Sequence, residues 1–223
     1  MKLQINIVFI GDTDTGKSTI FGHLVNKLVR IDKRTLNGFE KRMTRLGTER
    51  FKYVLLPHYS HIVNVVKNWK LETKNYLCLL HDFPCYPEFL PKMHAKMLQA
   101  DCAVLVLDST DGVFEDGISE RGLTRDFASH AFLIGVRRII CCSNKMDAIT
   151  PKYSKARYVA VVEGVSTLLR EIGFCLEKII FVPVCAYDGD NIVERSSNLV
   201  WYKGPTLVEA LDMIDLKEAE SRT

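Results

Sequence analysis

The apolar run Ile5-Asn6-Ile7-Val8-Phe9-Ile10 passes directly into Gly11-Asp12-Thr13-Asp14-Thr15-Gly16-Lys17-Ser18, and apolar residues then recur at helical spacing over 16–29. This order of strand, GxxxxGKS turn and helix constrains the fold more than any other feature of the chain. The glycines let the backbone curl so that its amides converge, and the helix N-terminus adds positive potential at the same point. By average composition the pattern arises by chance in about one chain in a hundred of this length. Its position between a predicted strand and a predicted helix makes it specific for phosphate binding. In that chemistry Lys17 reaches the β- and γ-phosphate oxygens and the Ser18 hydroxyl ligates Mg²⁺. Asp14, Thr15, Gly16 and Thr19 complete the candidate binding turn.

Further strands are predicted at 75–81, 103–108, 137–143 and 178–184, because each run is short, continuously apolar and rich in β-branched residues. Helical spacing occupies 88–98, 118–134, 151–171 and 206–214. This alternation predicts an α/β fold with a doubly wound, mostly parallel sheet covered by helices on both faces. No repeat or linker divides the 223 residues, so the chain reads as a single domain over 1–223 with an insertion at about 27–68. Apolar content of 47% and charged content of 26% exclude a disordered chain, and a net charge of +3 argues against a dedicated polybasic binder. No run approaches the ~18 apolar residues of a membrane span. The N-terminus, interrupted by Gln4 and Asn6 and followed by Asp12, does not resemble a signal peptide. Seven cysteines without a CxxC pair point to a reducing, cytoplasmic setting, with neither a disulfide framework nor a zinc site.

Asn144-Lys145-Met146-Asp147 ends the 137–143 strand, at the sheet edge where doubly wound folds bind ligands. A carboxylate at Asp147 can accept from both the ring N–H and the exocyclic amine of guanine. Adenine offers an acceptor and no amine at those positions, so guanine nucleotides (GTP or GDP) are favoured over ATP. Asn144 is expected to support the loop and the base edge, and the stem of Lys145 to pack over the phosphate turn or the base, or else to face solvent. Asp82 ends the 75–81 strand, where a carboxylate serves the Mg²⁺ shell together with Ser18.

The blocks INIVFIGDTDTGKST, FGHL, IDKRT, WKLET, QADCAVLVLDS, FEDGIS, GVRRII, NKMD, FVPV and AYDGDN follow one another in an order that resembles the guanine-nucleotide domain of eukaryotic translation elongation factor 1-alpha. The resemblance runs from about residue 3 to about residue 215. It implies a P-loop GTPase-type fold and places Asp14 in the phosphate turn, ordering it or the metal's water shell. It puts Cys185-Ala186-Tyr187 beneath the base, where the family has Ser-Gly-Trp, with the Cys185 amide expected toward the guanine oxygen. Two β-barrels follow the nucleotide domain in that family and hold aminoacyl-tRNA. The chain stops where the first would begin, so the resemblance implies either a stand-alone nucleotide domain with no β-barrel domains or a fragment of a longer product, and aminoacyl-tRNA delivery is not expected of it.

Three departures bear on activity. The family's Asp-x-Pro-Gly-His is Asp82-Phe83-Pro84-Cys85-Tyr86 here. Cys85 carries a Cβ where glycine allows the peptide to turn. Tyr86, with a pKa of about 10, stands in place of the histidine that positions the attacking water. The family's Mg²⁺-binding switch threonine falls at Val63, and the charged segment before it is shortened. The resemblance therefore implies a binding or regulatory module with weak or absent turnover, acting with a protein or ribosomal partner. Two alternatives stay open. One is a slow GTPase completed by a partner; the other is an RNA or ribosome binder using the 27–52 segment, which has nine basic residues against three acidic ones. His58 and His61 read as surface-loop residues rather than a metal pair, His81 as packed against a helix, and Cys141 and Cys142 as core. No Cys–His spacing suggests a thiol nucleophile.

Overall fold

A computed structural model of the protein describes residues 2–28, 37, 41, 69–82 and 90–215. Along the chain these form β1 (Leu3–Ile10), α1 (Lys17–Leu28), β2 (Trp69–Glu72), β3 (Tyr76–His81), α2 (Leu90–Met97), β4 (Cys102–Asp108), α3 (Val113–Ile118) and α4 (Leu123–Leu133). They continue with β5 (Ile139–Asn144), α5 (Lys155–Ile172), a 3₁₀ turn at Leu176–Lys178, β6 (Ile180–Pro183) and α6 (Leu207–Asp212). The strands make one sheet in the order β2-β3-β1-β4-β5-β6, parallel except for β2, which runs antiparallel to β3. From β1 the chain builds outward on one side and from β4 on the other. The turn after β1 therefore lies at the point where the winding reverses, the place such sheets hold ligands.

Alternation along the strands sorts the core into two layers. Ile5, Ile7 and Phe9 of β1 join Cys78 of β3, Cys142 of β5 and the buried faces of α1 and α6. Val8 and Ile10 face the other way, with Cys141 and with Met97 of α2, Phe114 of α3, Phe127 of α4 and Val161, Val165 and Leu169 of α5. Cys141 and Cys142 thus lie on opposite faces, both fully buried, and burial raises both thiol pKa values, Cys142 to about 12. They serve as small apolar side chains. No helix among the described residues is long and apolar enough to cross a membrane.

Two features differ from the sequence expectation. The predicted helix over 118–134 is broken: α3 ends at Ile118, Ser119 is extended (φ −60°, ψ 172°) and α4 starts at Leu123. Gly122 makes the break tight, because a Cβ there would stand 2.1 Å from the Gly117 carbonyl oxygen. The strand β2 was not predicted, since Trp69-Lys70-Leu71-Glu72 is only four residues long. Its alternation nevertheless buries Trp69 and Leu71, and Trp69 meets Phe21 edge-on at 6.0 Å between ring centroids.

The helix α5 shows how local chemistry sets an element. Ser154 caps it by accepting from the Arg157 N–H at 3.2 Å, and Gly173 closes it in the left-handed region (φ 113°). Ser154→Ala removes the cap acceptor and is expected to cost about 1 kcal/mol. A chain of this size should then melt ~2–4 °C lower in a thermal scan; an unchanged Tm would show that water replaces the cap without loss.

Candidate functional site

The turn after β1 is held by its own backbone. Gly11 has φ 137°, and a Cβ there would lie 2.4 Å from the Val106 carbonyl oxygen of β4. Asp14 is left-handed (φ 57°), and Thr15, buried, donates its hydroxyl to the Asp12 carbonyl at 2.9 Å. The Lys17 ammonium, also buried, folds back onto the same Asp12 carbonyl. The α1 helix begins here, with Ile20 N–H donating to Gly16 O at 3.0 Å. No acidic side chain occupies the first turn of α1, so its positive end stays open to an anionic ligand.

One side chain joins this turn to the other end of the site. Asn144, only 1% exposed at the end of β5, donates Nδ2–H to Thr15 O at 2.6 Å and accepts the Ala186 N–H on Oδ1 at 2.8 Å. Gly16 makes room for it: a Cβ on Gly16 would stand 2.2 Å from Asn144 Nδ2. Lys145, left-handed at φ 62°, pairs with buried Asp108 at the end of β4, Nζ to Oδ2 2.6 Å. The same Asp108 carboxylate accepts the Thr110 N–H at 3.0 Å and its hydroxyl at 2.7 Å. Arg157 of α5 fastens the next residues by donating to Ser109 O (2.7 Å), Thr110 O (3.0 Å) and Glu115 Oε1 (2.7 Å). That bond holds the Glu115 carboxyl down at about 2.

The loop after β6 is built on Cys185. Its N–H donates to Asp190 O at 3.3 Å in a short antiparallel bridge, so the amide expected toward the guanine oxygen is engaged within its own loop. The sulfur accepts the Asp188 N–H at 3.4 Å and lies beside the Asp188 and Asp147 carboxylates. Burial, reinforced by those carboxylates, pushes the thiol pKa far up. It therefore fills the place of a turn-forming hydroxyl and is no nucleophile. Tyr158 of α5 and Tyr202 both donate to Phe181 O, at 3.1 and 2.7 Å, and so tie α5 and the segment around Tyr202 to β6.

These elements enclose a cavity of about 500 Å³ lined by Asp14, Gly16, Lys17, Ser18, Thr19, Asn144, Lys145, Asp147, Ala148, Ala186 and Tyr187. Thr15 and Cys185, also singled out in the sequence, stand behind this lining as supports. Asp82 follows β3 directly, and Ser18 lies in the first turn of α1 after the neighbouring strand β1, so a carboxylate and a hydroxyl come from adjacent strand ends. Both are hard oxygen donors of the kind Mg²⁺ takes. His81, just before Asp82, sits 3.3 Å from Asn6 Oδ1, and burial with Lys96 of α2 lowers its pKa to about 4. It thus stands at the end of β3, where the sequence had it packed against a helix, with Lys96 of α2 close enough to bear on its charge. Val63, Cys85, Tyr86, His58, His61 and, apart from Lys27, Leu28, Asn37 and Lys41, the basic 27–52 segment lie outside the described residues. Sequence reasoning passed over Asp108, although an acidic residue closing an apolar strand is the same signal that marked Asp82. Arg157 carries no such signal.

The cavity gathers the residues that the sequence singled out for nucleotide binding, and relatives of known structure share the architecture. The family model described as the elongation factor Tu GTP-binding domain matches residues 2–216. A crystal structure of sup35 complexed with GMPPNP is 32% identical over 96% of this chain, with a TM-score of 0.69, and a second with GDP is 31% identical over 95% of it. The S. cerevisiae Ski7 GTPase-like domain, solved with GDP and inorganic phosphate, shares the fold at a TM-score of 0.76 and 19% identity over all of this chain. The match spans 46% of the first sup35 chain and 51% of the Ski7 chain, about half of each. The chain belongs to the elongation factor Tu GTP-binding domain family, and is a translation-elongation-factor-type GTP-binding domain.

Proposed function

We propose that the chain, read as a single G domain over 1–223, holds GDP or GTP with Mg²⁺ in the cavity beneath the β1 and β5 strand ends, and acts as a binding or regulatory module that neither switches nor hydrolyses efficiently. The observation that carries this is the convergence of Gly16, Lys17, Asn144 and Asp147 on one cavity, in a chain whose water-positioning histidine is replaced by Tyr86 and whose switch threonine by Val63. Lys17 would exchange the Asp12 carbonyl for phosphate oxygens, and the amides of 14–18 would surround the β-phosphate. Mg²⁺, when bound, would neutralise phosphate charge; Ser18 and Asp82 would hold it. Asp147 would accept from the guanine ring N–H and amine, and Ala186 and Tyr187 would border the ring. The cytoplasm, where thiols stay reduced, is the setting this chemistry suits, and a protein or ribosomal surface is the partner proposed for it.

A ligand that binds two states equally shifts neither. GDP and GTP, each with Mg²⁺, are therefore expected to raise Tm by similar amounts, with ATP well behind. Single-turnover GTP cleavage should run about 10²-fold or more below that of a relative with the histidine. Turnover at the rate of such relatives, or a GTP effect far above that of GDP, defeats the non-switching reading; addition of a ribosome fraction then tests completion by a partner.

Asn144→Ala orphans the Thr15 carbonyl and the Ala186 N–H, at about 1–3 kcal/mol for each buried group. Titration calorimetry with GDP should show affinity falling ~10–100-fold. An unchanged affinity would mean that the staple is dispensable once the ligand is in place.

A further inference from the structure

Away from the nucleotide cavity, two imidazoles from different helices meet on the surface. His94 lies in the last turn of α2 and His130 in the last turn of α4. His94 Nδ1 and His130 Nε2 are 2.9 Å apart, with ring centroids 5.0 Å apart and planes inclined by 45°. We propose that this pair is a two-imidazole chelate for a borderline divalent transition metal, Zn²⁺ above all, and that the bound metal ties α2 to α4.

The spacing is the first support. Two imidazole nitrogens bound to one Zn²⁺ at about 2.0–2.1 Å, with an angle between a right angle and a tetrahedral one, stand about 2.9–3.4 Å apart. The pair already lies at the short end of that range, and chelation would require the rings to turn until both lone pairs meet at a common point. Protonation state is the second. A metal takes the neutral imidazole, and His130 is held in that form because burial, and then His94 beside it, lower its pKa. Access is the third: His94 is exposed and His130 half-buried, so ions reach the site and water can complete the shell. The ligand type selects the ion, since imidazole suits Zn²⁺, Cu²⁺ and Ni²⁺ whereas Mg²⁺ and Ca²⁺ prefer oxygen. Phosphate-bound Mg²⁺ in the nucleotide cavity would not compete for it.

The tie has a mechanical meaning. Met97, one turn beyond His94 in α2, is fully buried in the layer that also contains Phe127, Ala128 and Ala131 of α4. A metal would add a polar clamp beside this shared layer and hold the C-terminal end of α2, the helix that follows the Asp82 segment. The proposal does not depend on the nucleotide reading.

The test uses the whole chain freed of metal by a chelator. ZnCl₂ is titrated while unfolding is followed, and the same is done with His94→Gln, His130→Gln and Cys175→Ser, the last covering the exposed thiol. Both histidines are at the surface, so the metal-free variants should melt close to the parent. At tenfold excess over its dissociation constant Zn²⁺ should shift the parent's folding equilibrium about elevenfold. That shift should disappear in either histidine variant, persist in Cys175→Ser and be reversed by chelator. In parallel, Co²⁺ should give visible absorption with the parent and not with the histidine variants. No Zn²⁺ effect, or one that survives both histidine substitutions, would overturn the proposal and leave the contact as an N–H···N hydrogen bond. Should a metal-free histidine variant unfold, His94→Asn and the Co²⁺ spectrum give the same decision.

Discussion

The Asn144 carboxamide is the contact on which the site's geometry depends. Among the described residues it is the side chain that reaches both the phosphate turn and the loop after β6 through hydrogen bonds, to Thr15 O and to Ala186 N–H. Its donor and acceptor are fixed in opposite directions, which no hydroxyl or carboxylate of similar size could match. Burial makes the arrangement stringent, because an unmade hydrogen bond there cannot be replaced by bulk water. Gly16 is a consequence of it, since a side chain at that position would occupy the space of the carboxamide nitrogen. The glycine of the motif is thus demanded twice, by φ 93° and by its neighbour.

The sheet delivers these parts to one edge. Parallel strands β1, β3, β4 and β5 all end at that edge, with Gly11, Asp82, Ser109 and Lys145 immediately beyond. Two buried layers keep the strand ends in register, so the residues after them inherit fixed positions. The costs collect in the same place. Asp14 and Lys145 adopt left-handed backbone conformations that non-glycine residues avoid by roughly 1–2 kcal/mol. For Lys145 the short bond to buried Asp108 offsets that strain, because an unpaired carboxylate so placed would be costlier still.

Much of this was legible in the sequence, for reasons that differ by element. Strands β1, β4 and β5 read clearly because both their faces are covered, which leaves nearly continuous apolar runs. The strand β2 did not, being four residues at an edge with only Trp69 and Leu71 inward. The break between α3 and α4 was hidden because Gly122 has an ordinary φ of −78°. What forbids a side chain there is the Gly117 carbonyl, which only the folded chain brings near. Asn144 and Gly16 were marked by motif, but their mutual contact spans most of the chain and left no trace in spacing. Arg157 was invisible for the same reason, since its partners Ser109, Thr110 and Glu115 lie more than forty residues earlier.

On the proposed reading, the division between holding a nucleotide and responding to it would follow the same architecture. Lys17, Asn144 and Asp147 follow buried strands whose positions the two core layers set. Their geometry can survive substitutions elsewhere, because packing rather than the ligand maintains it. Sensing and hydrolysis ask for something else: groups that gain a partner only when the γ-phosphate is present, and so must come from segments free to order around it. On the family resemblance, Val63, Cys85 and Tyr86 stand at sequence positions of that second kind. A chain under selection for binding alone would keep the first set and lose the second, and the proposed binding role rests on that reading of these replacements.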